Sequence, residues 1–184
     1  METLNELFED TLKDVYFAEN EILKALPQMA KKATSEDLQQ AFNDHAEETK
    51  GQVKRLDQIF KLLGKKPEGK ECHALKGLVK EADELMETAK SGPVLDAGLI
   101  AAAQAVEHYE MARYGALSAW AEQLDMEDAA ELLEETLDEE KAADEKLTEL
   151  AEDINPEAEN DEDEDEEEDE EDKDVKAKRT SAKS

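Results

Sequence analysis

From the first residues to Ile154, apolar positions recur every three or four residues with charged residues between them, the period of an amphipathic helix and not the alternation of a strand. Phe8, Leu12, Val15, Leu23, Leu26 and Ala30 fall on one stripe and predict a first helix over about Leu4–Lys32, with Pro27 as a kink inside it. Thr34 and Ser35 punctuate the pattern and supply an N-cap for a second helix to about Leu63, whose stripe is Leu38, Phe42, Leu56, Phe60 and Leu63. Gly64 and Pro67 end it. A shorter helix follows over about residues 72–89, and Ser91, Gly92 and Pro93 open a long helix to about Leu124. A last helix starts after Asp125 and closes near Ile154, because Asn155 and Pro156 break the pattern.

These elements predict an all-α domain. Roughly 30 residues lie between the second and third long helices, so the bundle is expected as two antiparallel hairpins joined by a long crossover that carries the short extra helix. That is the connection of a ferritin-like four-helix bundle, not of an up-and-down one.

Charge divides the chain in two. Of 52 acidic and 22 basic residues in 184, residues 155–184 hold 15 and 5, including DEDEDEEEDEED over residues 161–172. Such a segment cannot bury a core and is expected to be a disordered acidic tail after a folded domain over residues 1–154. The domain keeps 37 acidic against 17 basic residues and is acidic in its own right. Duplex nucleic acid and anionic membranes are therefore not expected as partners, since phosphate contacts need clustered Lys and Arg; metal cations and other proteins are. One cysteine, Cys72, excludes an internal disulfide framework, and METLNELFED has neither the basic region nor the apolar run of a signal peptide, so a cytoplasmic location is expected. No stretch reaches the roughly 20 apolar residues of a membrane span.

The acids inside the helices carry the chemistry. With about 100° per residue, Glu110 falls on the stripe of Leu99, Val106, Leu117, Ala121 and Leu124, with Glu107 at its edge. Glu19 lies near the centre of the first helix's stripe, and Glu140 is bracketed by Leu133, Leu147, Ala151 and Ile154, with Asp144 about 40° off centre. The second helix is ambiguous, its stripe centring nearer His45 and Thr49 and leaving Glu48 on the flank. Glu19 and Glu48 stand at similar distances from the first hairpin turn, as do Glu110 and Glu140 from the second, so four helices offer acids at one depth. Buried carboxylates repel one another and resist desolvation, and a metal pair is the compensation helical bundles use.

DVYFAENEI, AFNDHAEET, DAGLIAAAQAVEHYEMARYG and LDEEKAADEKL resemble the YciE/YciF family of bacterial ferritin-like stress proteins over about residues 1–154. That family is similar, more distantly, to the rubrerythrins. The likeness implies metal ligation by Glu107 and Glu110, which form a Glu-x-x-Glu pair on the third bundle helix, and by Glu19 on the first. It also implies a homodimer. Two departures stand out: His45-x-x-Glu48 reverses the rubrerythrin Glu-x-x-His order, and Glu140 is followed by Asp144 with no histidine. The paired-cysteine rubredoxin module is absent as well.

The function expected is therefore a di-metal carboxylate protein, with two iron ions or, alternatively, manganese, reacting with oxygen or peroxide in a stress response as a ferroxidase, peroxidase or catalase-like oxidoreductase. Glu19, Glu48, Glu107, Glu110 and Glu140 are its expected ligands, with His45 and Asp144 as ligands or as hydrogen-bonding neighbours of ligands. Two-metal sites hold their ions about 3.5 to 4 Å apart. The other reading is a non-catalytic bundle that binds a partner or sequesters cations. His108 is read as a surface or interhelix hydrogen-bonding residue, Cys72 and His73 as structural, and Tyr16, Tyr109, Tyr114 and Trp120 as core packing, with Tyr16 or Tyr114 able to reach a ligand.

Overall fold

The computed structural model describes residues 1–181, with side chains for residues 1–160. Five helices follow in order: α1 (Leu4–Lys32), α2 (Glu36–Leu62), α3 (His73–Thr88), α4 (Pro93–Gln123) and α5 (Glu127–Ser181). Local chemistry sets their ends. Thr3 and Glu6 form a reciprocal capping box on α1, the Ser35 hydroxyl accepts from Leu38 N–H at 3.3 Å to start α2, and Cys72 Sγ does the same for α3 from Leu75 N–H. Gly64 at φ +67° closes α2, where a side chain would strain the backbone, and Pro93 occupies the first turn of α4, where no N–H is needed.

α1 and α2 form one hairpin, α4 and α5 the other, and the crossover between them carries α3, which packs on α4 and α1. One tie holds the hairpins in register. Asp96, buried in the first turn of α4, accepts from Thr34 N–H at 2.8 Å, the Thr34 hydroxyl at 2.5 Å and Ser35 N–H at 2.8 Å, so the α1–α2 turn is fastened to the start of α4.

Two apolar clusters fill the bundle. One, around Ile22, Leu26, Leu38, Phe42, Leu75, Leu99 and Leu147, occupies the end near the α1–α2 turn; the other, around Phe8, Leu12, Leu56, Phe60, Leu117 and Leu133, occupies the end near the α4–α5 turn. The layer between them is polar.

One helix boundary differs from expectation. α5 passes Asn155 and Pro156 instead of closing at Ile154. Pro156 is exposed and loses a single backbone donor, while the surrounding Ala and Glu favour helix, so the break that proline signals is local. Core packing does end at Ile154, which is buried and is followed by exposed or half-exposed side chains to residue 160. From residue 161 on, the expected disordered tail lies outside the residues whose side chains are described.

Candidate metal centre

The polar layer is built from one face of each long helix. On α4 the inward stripe runs Ala103, Glu107, Glu110, Tyr114, Leu117, a four-three spacing that keeps them in line. Val106, read as more central than Glu107, lies instead on the flank toward α3 and is only partly buried. Because α3 covers a second side of α4, apolar residues spread around that helix and blur the stripe. α1 contributes Glu19, α2 contributes His45 and Thr49, and α5 contributes Glu140. Exposures of 0% for Glu19 and Glu140, 1% for Glu110, 2% for Glu107 and 7% for His45 put all five inside the bundle.

His45, Glu107, Glu110 and Glu140 each present a ligand atom, and these atoms all lie within 4.8 Å of one another. His45 Nε2 stands 3.3 Å from Glu107 Oε1 and 3.7 Å from Glu140 Oε2. Its other nitrogen, Nδ1, lies 3.4 Å from Glu48 Oε2. Glu19 accepts a short hydrogen bond from the Tyr114 hydroxyl, itself fully buried.

The remaining expected site residues lie further out. Glu48 is half exposed and orients His45 rather than joining the four converging donors. Asp144 receives Gln104 Nε2 at 3.1 Å and faces His108 Nε2 at 3.3 Å, on the partly exposed flank between α4 and α5. His108 is thus an interhelix partner.

Electrostatics make the layer costly as it stands. Glu19 and Glu107 are both raised to about 8, chiefly by desolvation, with the charge of Glu140 adding for Glu19 and those of Glu19 and Asp144 adding for Glu107. Glu110 is raised well above the carboxylate range by burial and then by Glu19, Glu140 and Glu107, all of them carboxylates. Glu140 is raised by burial and Glu107, with His45 working against the shift. For His45, burial pulls downward, but the Glu48 hydrogen bond and the charges of Glu140 and Glu19 outweigh it and leave the imidazole raised.

Six buried carboxylate oxygens have no hydrogen-bond partner: Glu19 Oε2, Glu107 Oε2, and both oxygens of Glu110 and Glu140. Buried polar atoms are nearly always satisfied, and this concentration of them is one that a metal ion could hold together. Oxygen donors with one imidazole suit iron or manganese, and the donor set fits a divalent cation.

A groove of about 580 Å³ between α2 and α5 reaches His45 and Glu107 from solvent. The two helices are clasped toward the α4–α5 turn. There Arg55 donates to Thr136 Oγ1 at 2.9 Å and pairs with Glu139 and Glu135, and Gln52 also donates to Glu139. At the other end Asp37, Asp44, Glu149 and Asp153 line the opening. Neither this clasp nor the Asp96 tie is marked in the sequence; both depend on side chains more than 60 residues apart. Tyr109, half buried, donates to Asp14 at 2.8 Å and lies 3.0 Å from Cys72 Sγ, which places that pair on the α3 side, structurally as expected.

Comparison with known proteins agrees over nearly the whole domain. A family described as "Domain of unknown function (DUF892)" matches residues 3–159. Protein YciF of Escherichia coli (strain K12) is 48% identical over 162 residues, covering 87% of this chain and 98% of its own. The crystal structure of the E. coli stress protein YciF superposes with a TM-score of 0.81 at 47% identity, over 84% of this chain and 98% of that one. YcfI from Rhodopseudomonas palustris gives 0.77 at 53% identity, over 80% and 94%. A Xanthomonas campestris protein, 24% identical with a TM-score of 0.64, shares the fold.

Proposed function

The chain belongs to the DUF892 family as a relative of the stress protein YciF, and we propose that it is a di-metal carboxylate protein, with iron as its cation, that reacts with oxygen or peroxide under stress. The observation that carries this reading is the set of six buried, unpartnered carboxylate oxygens facing a single histidine. Four glutamates carry as much negative charge as two divalent cations carry positive, so a metal pair would neutralise the layer.

Glu107, Glu110, Glu140 and His45 would hold one cation, and Glu19 would complete the place of a second. A bound iron pair would supply Lewis acidity and one-electron steps. The chain's own residues do the rest. Glu48 fixes the ring of His45 through Nδ1 and leaves Nε2 facing the carboxylates. The apolar clusters above and below the layer shield it at both ends of the bundle, and the α2–α5 groove opens toward His45 and Glu107. On the family resemblance we propose a cytoplasmic homodimer.

Anaerobic titration with Fe(II), followed by air, tests the proposal. Saturation near two ions per chain and a new near-ultraviolet absorption band on exposure to air are expected. Absence of saturable binding, or binding that disappears when residues 161–184 are removed, would instead favour a non-catalytic bundle whose acidic surface or tail gathers cations.

A further inference from the structure

Glu107 is 2% exposed and its Oε2 has no hydrogen-bond partner, yet together with His45 it forms part of the wall of the α2–α5 groove. Five exposed acids line the same groove: Asp37, Asp44 and Glu48 from α2, and Glu149 and Asp153 from α5. Spacings of seven and four on α2, and of four on α5, keep each set on one helix face. Lys146 is the one base of the lining, and it lies 3.4 Å from Glu149. Among the described residues, only the buried set of His45, Glu107, Glu110 and Glu140 brings three or more ligand atoms together. The groove acids thus attract a cation without offering it a cage.

Resting on the reading of the buried layer as a metal centre, we propose that the α2–α5 groove is the route by which hydrated divalent cations reach that layer, steered inward by Asp44, Glu149 and Asp153. A cleft lined by one sign of charge focuses the field and raises the arrival rate of counter-ions, an effect that salt screens. The whole domain is acidic, so attraction alone does not select an entrance. What singles out the groove is that its acids lead to a buried carboxylate oxygen still lacking a partner, beside an imidazole. Glu107 also touches a second opening, between α1, α3 and α4, but that one holds only about 30 Å³ and is walled by Ile22, Leu26, Met29, Val79 and Val106. An ion entering there would shed its water against nothing that replaces it.

The test follows Mn(II) loading of the full chain under argon, read by rapid-freeze electron paramagnetic resonance as loss of the free-ion signal, and Mn(II) release into excess chelator. The triple variant Asp44→Asn, Glu149→Gln, Asp153→Asn should bind as many ions as wild type but load about tenfold more slowly at low salt, with a flatter dependence on ionic strength. Ala142→Trp adds bulk to the groove wall at unchanged charge and should slow loading and release by the same factor, whereas loss of a ligand would speed release. Glu81→Gln, Asp83→Asn, Glu87→Gln on α3 makes the same change of charge on another face and should load within about twofold of wild type. All the substituted side chains are exposed, so the fold is kept. Wild-type rates in either groove variant overturn the proposal. Equal slowing by both triples would make the effect one of net charge, and slowing by the α3 triple alone would put the entrance there; either result overturns it too. So does a lost ion in the groove triple, which would make those acids ligands. Each of these outcomes leaves the metal reading standing, whereas no saturable binding by wild type sinks both.

Discussion

Glu110 is where the balance of the site is most exposed to test. It is 1% exposed, both oxygens lack a hydrogen-bond partner, and its charged neighbours are further carboxylates. A structural buried acid would sit opposite a base, and removing it would cost about 3 to 5 kcal/mol by stranding the partner. Here no base is stranded, because His45, the one base in the cluster, keeps Glu107 and Glu140. Glu110→Gln keeps the shape and deletes the charge, so the demetallated variant at pH 8 should be more stable than demetallated wild type by roughly 1 to 4 kcal/mol, while tight binding of at least one cation is lost. Urea denaturation alongside metal analysis measures both. A destabilised variant with normal metal content would show that Glu110 is structural. That Glu110, Glu19 and Glu140 face inward is legible in the sequence, because each sits among apolar neighbours at helical spacing. The depth of Glu107 is not, since α3 covers the far side of α4 and gives Val106 an apolar neighbour of its own.

At the scale of elements, the helix ends follow local signals closely: caps at Thr3 and Ser35, Gly64 after α2, Pro93 opening α4. What local signals omit is how helices are held to one another. Asp96 reads as one acid among many in a first helical turn, where acids are favoured anyway, yet its carboxylate binds three donors of the α1–α2 turn. Asp96→Ala removes the acceptor of two backbone N–H groups and a hydroxyl in the α1–α2 turn and should lower stability by about 1 to 3 kcal/mol without changing the number of cations bound, since the turn lies at the end of the bundle and the site at its middle. Thermal melting and metal titration of the variant check this. A loss of cations together with stability would show that the site depends on the hairpin register. Pro156 illustrates the opposite error. As a helix breaker it is read too strongly, because an exposed proline among good helix formers removes one hydrogen bond and no packing.

For the whole molecule, the bundle is assembled at a standing electrostatic cost. Glu19 and Glu107, raised to about 8, and Glu110 and Glu140, raised well above the carboxylate range by burial and neighbouring carboxylates, are all displaced above their value in an unfolded chain. With a folded value above the unfolded one, each holds its proton more tightly in the fold. The contribution of these four groups to stability is therefore fully present below about pH 4.5 and is lost, in the cation-free protein, as pH rises through about 8. Cations compete with those protons, so their affinity and the stability they confer should increase over the same interval. The sequence shows why the burden is concentrated: two hairpins of matched length bring inward acids from three helices, and His45 from the fourth, to one level. It does not show which oxygens remain without partners, because that depends on interhelix distances and on Tyr114 reaching only Glu19. The most direct test is thermal melting of demetallated and Mn(II)-loaded protein, under argon, from pH 5 to 8.5. The demetallated midpoint should fall by roughly 5 to 10 °C across that range while the gap to the loaded protein widens steadily. Parallel curves, with manganese adding nothing at any pH, would contradict a carboxylate layer held together by bound cations.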